Sequence, residues 1–197
     1  MSQAVPKTKT AVLISGRGSN MLALVDAAKA ADYPADIQLV ISNRPEAAGL
    51  KAAEDQGVIA ISIDHRAFKS RKAFEVELDR VLREHDIEFV VCAGFMRILG
   101  KTIVRKWSGR MINIHPSLLP KYKGLDTHQR ALDAGDNIHG CTVHWVSEGV
   151  DEGEIIAQSS LYIEADDTAE SLAKRVQVLE HRLYTDALKS VLTLNTP

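Results

Sequence analysis

The sequence is short of several things, and each shortage removes a class of protein. It holds two cysteines, Cys92 and Cys141, each inside an apolar run. Neither a disulfide framework nor a cysteine metal site is expected, and both thiols read as small buried hydrophobes. No apolar run approaches the ~20 residues needed to cross a bilayer. The first ten residues are polar, so no signal peptide is expected; residues 1–9 read as a flexible tail and 10–194 as one domain. Basic and acidic residues nearly balance, 24 against 26, with no basic block or stripe. Nucleic acid is therefore not expected as the main partner, nor a membrane. No histidine pair has the H-E-x-x-H spacing and no Cys/His cluster exists, so no metal is expected. A cytoplasmic protein remains, with 45% hydrophobic and 25% charged residues in 197, long enough for a substantial core.

What is present is an alternation of two segment types. Apolar runs stand at Ala11–Ser15, Ile37–Ser42, Ile59–Ile63, Phe89–Ala93 and Met111–Ile114. Runs that are apolar at successive positions suit strands covered on both faces. Between them, Met21, Leu24, Val25 and Ala28, then Leu50 and Ala53, then Phe74, Leu78, Val81 and Leu82 repeat at helical spacing. Ser19-Asn20 precede the first of these helices, and Ser70 suits the cap of the third. Two further strands are expected over His139–Val146 and Glu154–Ile163. A long C-terminal helix then runs from about Thr168 to Leu192, with Leu172, Val176, Leu179, Leu183, Ala187 and Val191 as its core stripe. The expectation is an α/β fold: one doubly wound, mostly parallel sheet flanked by helices.

Three features carry chemistry. Ser15-Gly16-Arg17-Gly18-Ser19-Asn20 follows a strand and opens a helix, where glycines allow close backbone approach and free amides face an anion. A tight turn without a ligand would look similar. The dinucleotide fingerprint wants a glycine where Met21 stands and an acid where Ser42-Asn43-Arg44 stands; Arg44 leaves a 2′-phosphate variant open. No Gly-Lys-Ser/Thr follows, which excludes a P-loop. A monophosphate ester is the remaining ligand. Second, Asn113 and His115 project from one side of an extended strand at its ligand end, stiffened by Pro116 and Pro120. An amide donor beside an imidazole suits an oxyanion and a proton transfer. Third, four acids crowd Ser147–Glu154, and one of them could meet His115 across the sheet ends. The loop lacks the alternating oxygens of an EF-hand.

The other histidines score lower. His65, His85 and His139 read as solvated residues at element edges, His128 as a candidate cleft residue, and His144 as structural. On the long helix, Gln177, Glu180, His181 and Tyr184 form a stripe that adjoins the buried one.

Taken in order, Gly16–Asn20, Ala93-Gly94-Phe95-Met96-Arg97-Ile98-Leu99, Asn113–Tyr122 and Asp151-x-Gly with Ile155-Ile156-Ala157-Gln158 resemble the phosphoribosylglycinamide formyltransferases of purine synthesis. The resemblance covers about Thr10 to Leu192. It implies formyl transfer from 10-formyltetrahydrofolate, a cosubstrate, to the amine of glycinamide ribonucleotide, in a monomer or homodimer. Residue by residue, it implies Asn113, His115 and Asp151 as the catalytic trio. It implies Gly18, Ser19, Asn20, Gln177 and Glu180 around the ribotide. It implies Arg71, Met96, Arg97, Ile98, Leu99, Ser147, Glu148, Gly149, Val150 and Asp151 around the folate. Two positions depart from the pattern: Glu154 and Lys123 stand where the family usually has proline. Formyltetrahydrofolate hydrolases share the Asn-x-His and Asp-x-Gly apparatus but usually read His-His-Ser after Asn-Ile, where this chain has His115-Pro116-Ser117. Methionyl-tRNA formyltransferases add a basic RNA-binding domain. A non-catalytic nucleotide-binding module would leave the trio without a purpose.

Overall fold

The computed structural model describes residues 7–194. Seven strands and six α-helices follow one another: β1 (Thr8–Ile14), α1 (Ser19–Ala28), β2 (Ala35–Ser42), α2 (Ala48–Asp55), β3 (Ile59–Ser62), α3 (Arg71–Glu84), β4 (Phe89–Cys92), α4 (Lys101–Lys106), β5 (Met111–His115), α5 (Thr127–Asp133), β6 (Ile138–Trp145), β7 (Ile155–Tyr162) and α6 (Ala169–Leu194). They form one sheet in the order β3-β2-β1-β4-β5-β6-β7. The first five strands are parallel, and β6 and β7 add antiparallel to that edge. The expected mostly parallel doubly wound sheet is present. β1 begins at Thr8, two residues inside the segment read as a tail; residues 1–6 lie outside the described residues.

The chain winds from β1 outward to β3, returns, and winds from β4 outward to β7. The strand order therefore reverses between β1 and β4, and a crevice opens beyond their carboxyl ends. Both faces are covered, as successive apolar positions require. Val12, Ile14, Val91 and Ile112 pack under α1 and α6, while Leu13, Leu39, Val90 and Met111 pack under α3 and α4. β3 departs from that pattern: as an edge strand it buries little, and Ile59 is exposed.

Capping divides the helices in a useful way. Ser70 caps α3, its Oγ accepting from the Ala73 amide at 3.1 Å. Ser19 and Asn20 do not cap α1; they are its first two residues, and Gly18 holds the cap in a left-handed conformation. Their side chains are thereby free for contacts elsewhere. The buried stripe of α6 is Leu172, Val176, Glu180, Tyr184, Ala187, Leu188, Val191 and Leu192, so Leu179 and Leu183 lie at its margin. The Tyr184 hydroxyl donates to the Cys92 carbonyl at 2.8 Å, which ties α6 to the middle of the sheet and keeps this tyrosine out of the cleft. Both cysteines are free and buried, and burial pushes each thiol up to about 12. Among the described residues no helix is long and apolar enough to cross a membrane.

Candidate active site

The crevice is built from the ends of β1, β4 and β5 and from loops that arrive from the antiparallel edge. On its β1 side, Gly18 has φ +76°, and a Cβ there would stand 2.9 Å from Met21 Cε and 3.2 Å from Gly49 Cα. Gly49 in turn donates its amide to the Gly16 carbonyl at 3.0 Å, so the start of α2 braces the loop. The first amides of an α-helix have no intrahelical partner, which makes the start of α1, at the end of this loop, a place suited to an anion. α6 closes this side. Gln177 Nε2 donates to Ser19 Oγ at 2.8 Å, and Asn20 Nδ2 donates to Glu180 Oε2 at 2.8 Å. Burial pushes the Glu180 carboxyl up, against the lowering effect of the Asn20 bond. Asn20 Oδ1 is buried with no partner among the described residues. The stripe on α6 and the loop after β1 thus form one polar wall.

At the end of β5, Asn113 pairs in register with His144 of β6, and His115 with Thr142. His115 is buried and both its ring nitrogens face acceptors. Nε2 donates to the Tyr122 carbonyl at 2.8 Å, and Nδ1 stands 3.4 Å from Asp151 Oδ2. Asp151 is the acid of the Ser147–Glu154 loop that meets the histidine. It has φ +53°, and its Oδ2 also accepts from the Gly124 amide at 2.9 Å. Burial raises its carboxyl, yet the neighbouring His144 ring, the hydrogen bond from the Gly124 amide and the charge of His115 outweigh this and hold it below the usual carboxylate range.

His144, read as structural from the sequence, belongs to this group. It is 3% exposed, and its Nδ1 donates to the Trp145 carbonyl at 2.9 Å. Nε2 is therefore free to accept from Asn113 Nδ2 at 3.1 Å. The same Nε2 lies 3.7 Å from Asp151 Oδ1. The signal available in the sequence was its alternation on β6 opposite the Asn113 strand, which becomes informative only once the register is known.

The profile of the formyl transferase family matches residues 8–188. The chain belongs to the formyl transferase family. A phosphoribosylglycinamide formyltransferase of Bacillus subtilis is 38% identical over 187 residues, covering 95% of this chain and 96% of that one. The trifunctional purine biosynthetic protein adenosine-3 of Bos taurus is 48% identical over 185 residues, but the chain spans only 18% of its length. The crystal structure of phosphoribosylglycinamide formyltransferase from Brucella melitensis superposes with a TM-score of 0.91 at 45% identity, covering 94% of this chain and 96% of that one.

In this member of the family the remaining sequence-predicted residues gather around α4. Glu148 pairs with Arg105 at 2.6 Å and with Lys101 at 3.2 Å, which lays the Ser147–Val150 turn against α4. Arg105 and Lys101 hold its carboxyl below the usual range. The Met96–Leu99 segment runs directly into α4. Met96, Ile98 and Val150 are exposed apolar side chains on these two loops, and Arg97 Nε is buried with no partner among the described residues. Arg71, at the start of α3, stands 3.6 Å from the buried Glu75. The Lys123–Glu152 pair, 2.9 Å apart, joins the two loops where the chain departs from the family pattern.

The expectation of a solvated His139 fails. It is 1% exposed, with Nε2 3.1 Å from His128 Nδ1, because the segment leading from Pro116 into α5 folds back over β6. His65 and His85 are half-buried, each bonded to a backbone carbonyl, of Asn43 and Val81 respectively. That folded-back segment is pinned by Thr142, whose Oγ1 donates to the Ser117 carbonyl at 2.6 Å and accepts from the Leu119 amide at 3.0 Å.

Proposed function

We propose that this chain transfers the formyl group of 10-formyltetrahydrofolate to the amine of N1-(5-phospho-D-ribosyl)glycinamide in purine biosynthesis. The observation that carries the reading is the convergence of Asn113, His115 and Asp151 beside the polar wall of Ser19, Asn20, Gln177 and Glu180. That wall and the α1 amides suit a phosphorylated ribose. The exposed apolar side chains of Met96, Ile98 and Val150 suit a flat heteroaromatic ring, with Arg71, Arg97, Leu99, Ser147, Glu148 and Gly149 along the same loops.

The neutral amine attacks the formyl carbon and a carbon–nitrogen bond forms. Negative charge gathers on the formyl oxygen, where the second hydrogen of the Asn113 amide donates one hydrogen bond and the His115 ring, turning one N–H from its present acceptor, donates another. The tetrahedral centre then breaks its bond to the folate nitrogen. The proton lost by the amine passes to that nitrogen with Asp151 as acid–base partner, directly or through water. The folate leaves as tetrahydrofolate, and neither a metal nor a covalent enzyme intermediate enters the steps. Reduced, buried thiols agree with a cytosolic location. Small molecules are the partners of such a site, and the active unit is a monomer or homodimer.

The test is a folate absorbance assay with 10-formyltetrahydrofolate, with and without the glycinamide ribotide. Deformylation that requires the amine supports transfer. Deformylation at the same rate without it makes the protein a hydrolase, and no turnover in either mixture makes it a binding module.

A further inference from the structure

The two walls of the crevice are joined by one buried hydroxyl, outside the residues assigned to either substrate. β1 and β4 run in register as far as Leu13 and Cys92, and the Ala93 amide still donates to the Leu13 carbonyl at 2.8 Å. Beyond that, Gly94 at φ +75° turns the chain away and the crevice opens. The next link across is made by a side chain. Ser15 Oγ accepts from the Met96 amide at 2.7 Å and donates to Asn43 Oδ1 at 2.5 Å. Ser15 is 4% exposed and Asn43 1%. Ser15 is the residue on which the loop leading to Gly18, Ser19 and Asn20 begins. Met96 begins the Met96–Leu99 segment. Asn43 follows β2 and takes the hydroxyl proton, which leaves the Ser15 lone pairs for Met96. The far end of the segment is held separately, the Gly100 amide donating to the buried Glu75 at 2.6 Å.

We propose that Ser15 is a positioning residue that sets the folate-side loop at Met96 relative to the phosphate-side loop, with Asn43 fixing the direction of its hydroxyl. The inference rests on the formyl-transfer reading, in which those loops hold the two substrates. In wild type the Met96 amide is paired; in Ser15→Ala it becomes an unpaired donor at the mouth of the crevice, and Asn43 Oδ1 becomes an unpaired buried acceptor. The Met96–Leu99 segment then keeps one anchor, at Glu75, and loses its register with β1. The phosphate-side loop keeps its own braces, at Gly49, Gln177 and Glu180.

The experiment compares wild type, Ser15→Ala, Asn43→Ala and the double variant, by steady-state kinetics and by amide hydrogen exchange. For Ser15→Ala the KM for 10-formyltetrahydrofolate is expected to rise about tenfold while the ribotide KM stays within about twofold. Asn43→Ala gives the same split more weakly, and the double variant is no worse than Ser15→Ala, since both act through one hydroxyl. The Met96 amide exchanges faster in Ser15→Ala while the α3 amides keep their protection. Equal rises in both KM values, or an unchanged folate KM, overturn the proposal. If Ser15→Ala does not fold, the Asn43→Ala split decides alone. Hydrogen exchange at Met96 needs no turnover, so a protein that fails to transfer formyl groups still tests the link: unchanged Met96 exchange in Ser15→Ala sinks it.

Discussion

Asp151 Oδ2 lies 3.4 Å from His115 Nδ1 while accepting from the Gly124 amide at 2.9 Å. One carboxylate thus joins the imidazole at the end of β5, the loop between β6 and β7, and the segment that follows Tyr122. Its low pKa keeps it charged throughout the range in which an amine substrate can be neutral.

Asp151→Asn keeps the shape of the side chain and an oxygen that can accept from Gly124, but removes the charge and the acid–base function. Turnover should fall by about a hundredfold or more, while calorimetric binding of the ribotide survives. A fully active variant would remove Asp151 from the mechanism.

His144→Phe keeps a ring in the buried site and deletes the acceptor for Asn113 Nδ2. The amide is then free to turn away from the formyl oxygen. kcat should drop about tenfold with both KM values nearly constant, the signature of an interaction made in the transition state. His144→Gln, which offers a carbonyl acceptor, should recover part of the loss. A drop in affinity with unchanged kcat would place His144 in substrate binding instead.

Gly18→Ala forces a side chain into a left-handed residue whose Cβ would meet Met21 and the Gly49 backbone. Gly49 is held by its bond to Gly16 and cannot retreat. A loss of about 1–2 kcal/mol in urea unfolding is expected, with a raised ribotide KM, because any relief moves the α1 amides.

Burial, followed by the neighbouring His128 charge, lowers the His139 pKa to about 4, and burial followed by the His115 charge lowers that of His128. Both rings bind protons more readily in the unfolded chain, whose histidines titrate near about 6.5. Their contribution to stability is therefore complete above about pH 6.5 and is lost as pH falls toward about 4. The depressed Asp151 carboxyl adds its own loss in a lower window, as pH falls through its folded pKa. Urea midpoints at pH 7.5 and pH 5 should differ clearly for wild type, and His139→Gln should narrow the difference. Equal wild-type midpoints would contradict the burial of a neutral pair.

The sequence by itself determined the α/β alternation, because successive apolar positions and helical spacing report burial directly. It also marked the Asn113–His115 pair and the glycine loop as candidates, because rare residue types stand at strand ends in a recognisable order. Four things belonged to tertiary structure alone. Which acid of the Ser147–Glu154 loop meets His115 depends on the hairpin of β6 and β7. His144 became a partner of Asn113 only through the antiparallel register. His139 is buried because a distant segment folds over β6. Ser15 bridges β1 and β4 because those strands are neighbours at the point where the sheet order reverses. Local spacing encodes which face a side chain takes; it carries no term for what a remote part of the chain places opposite that face.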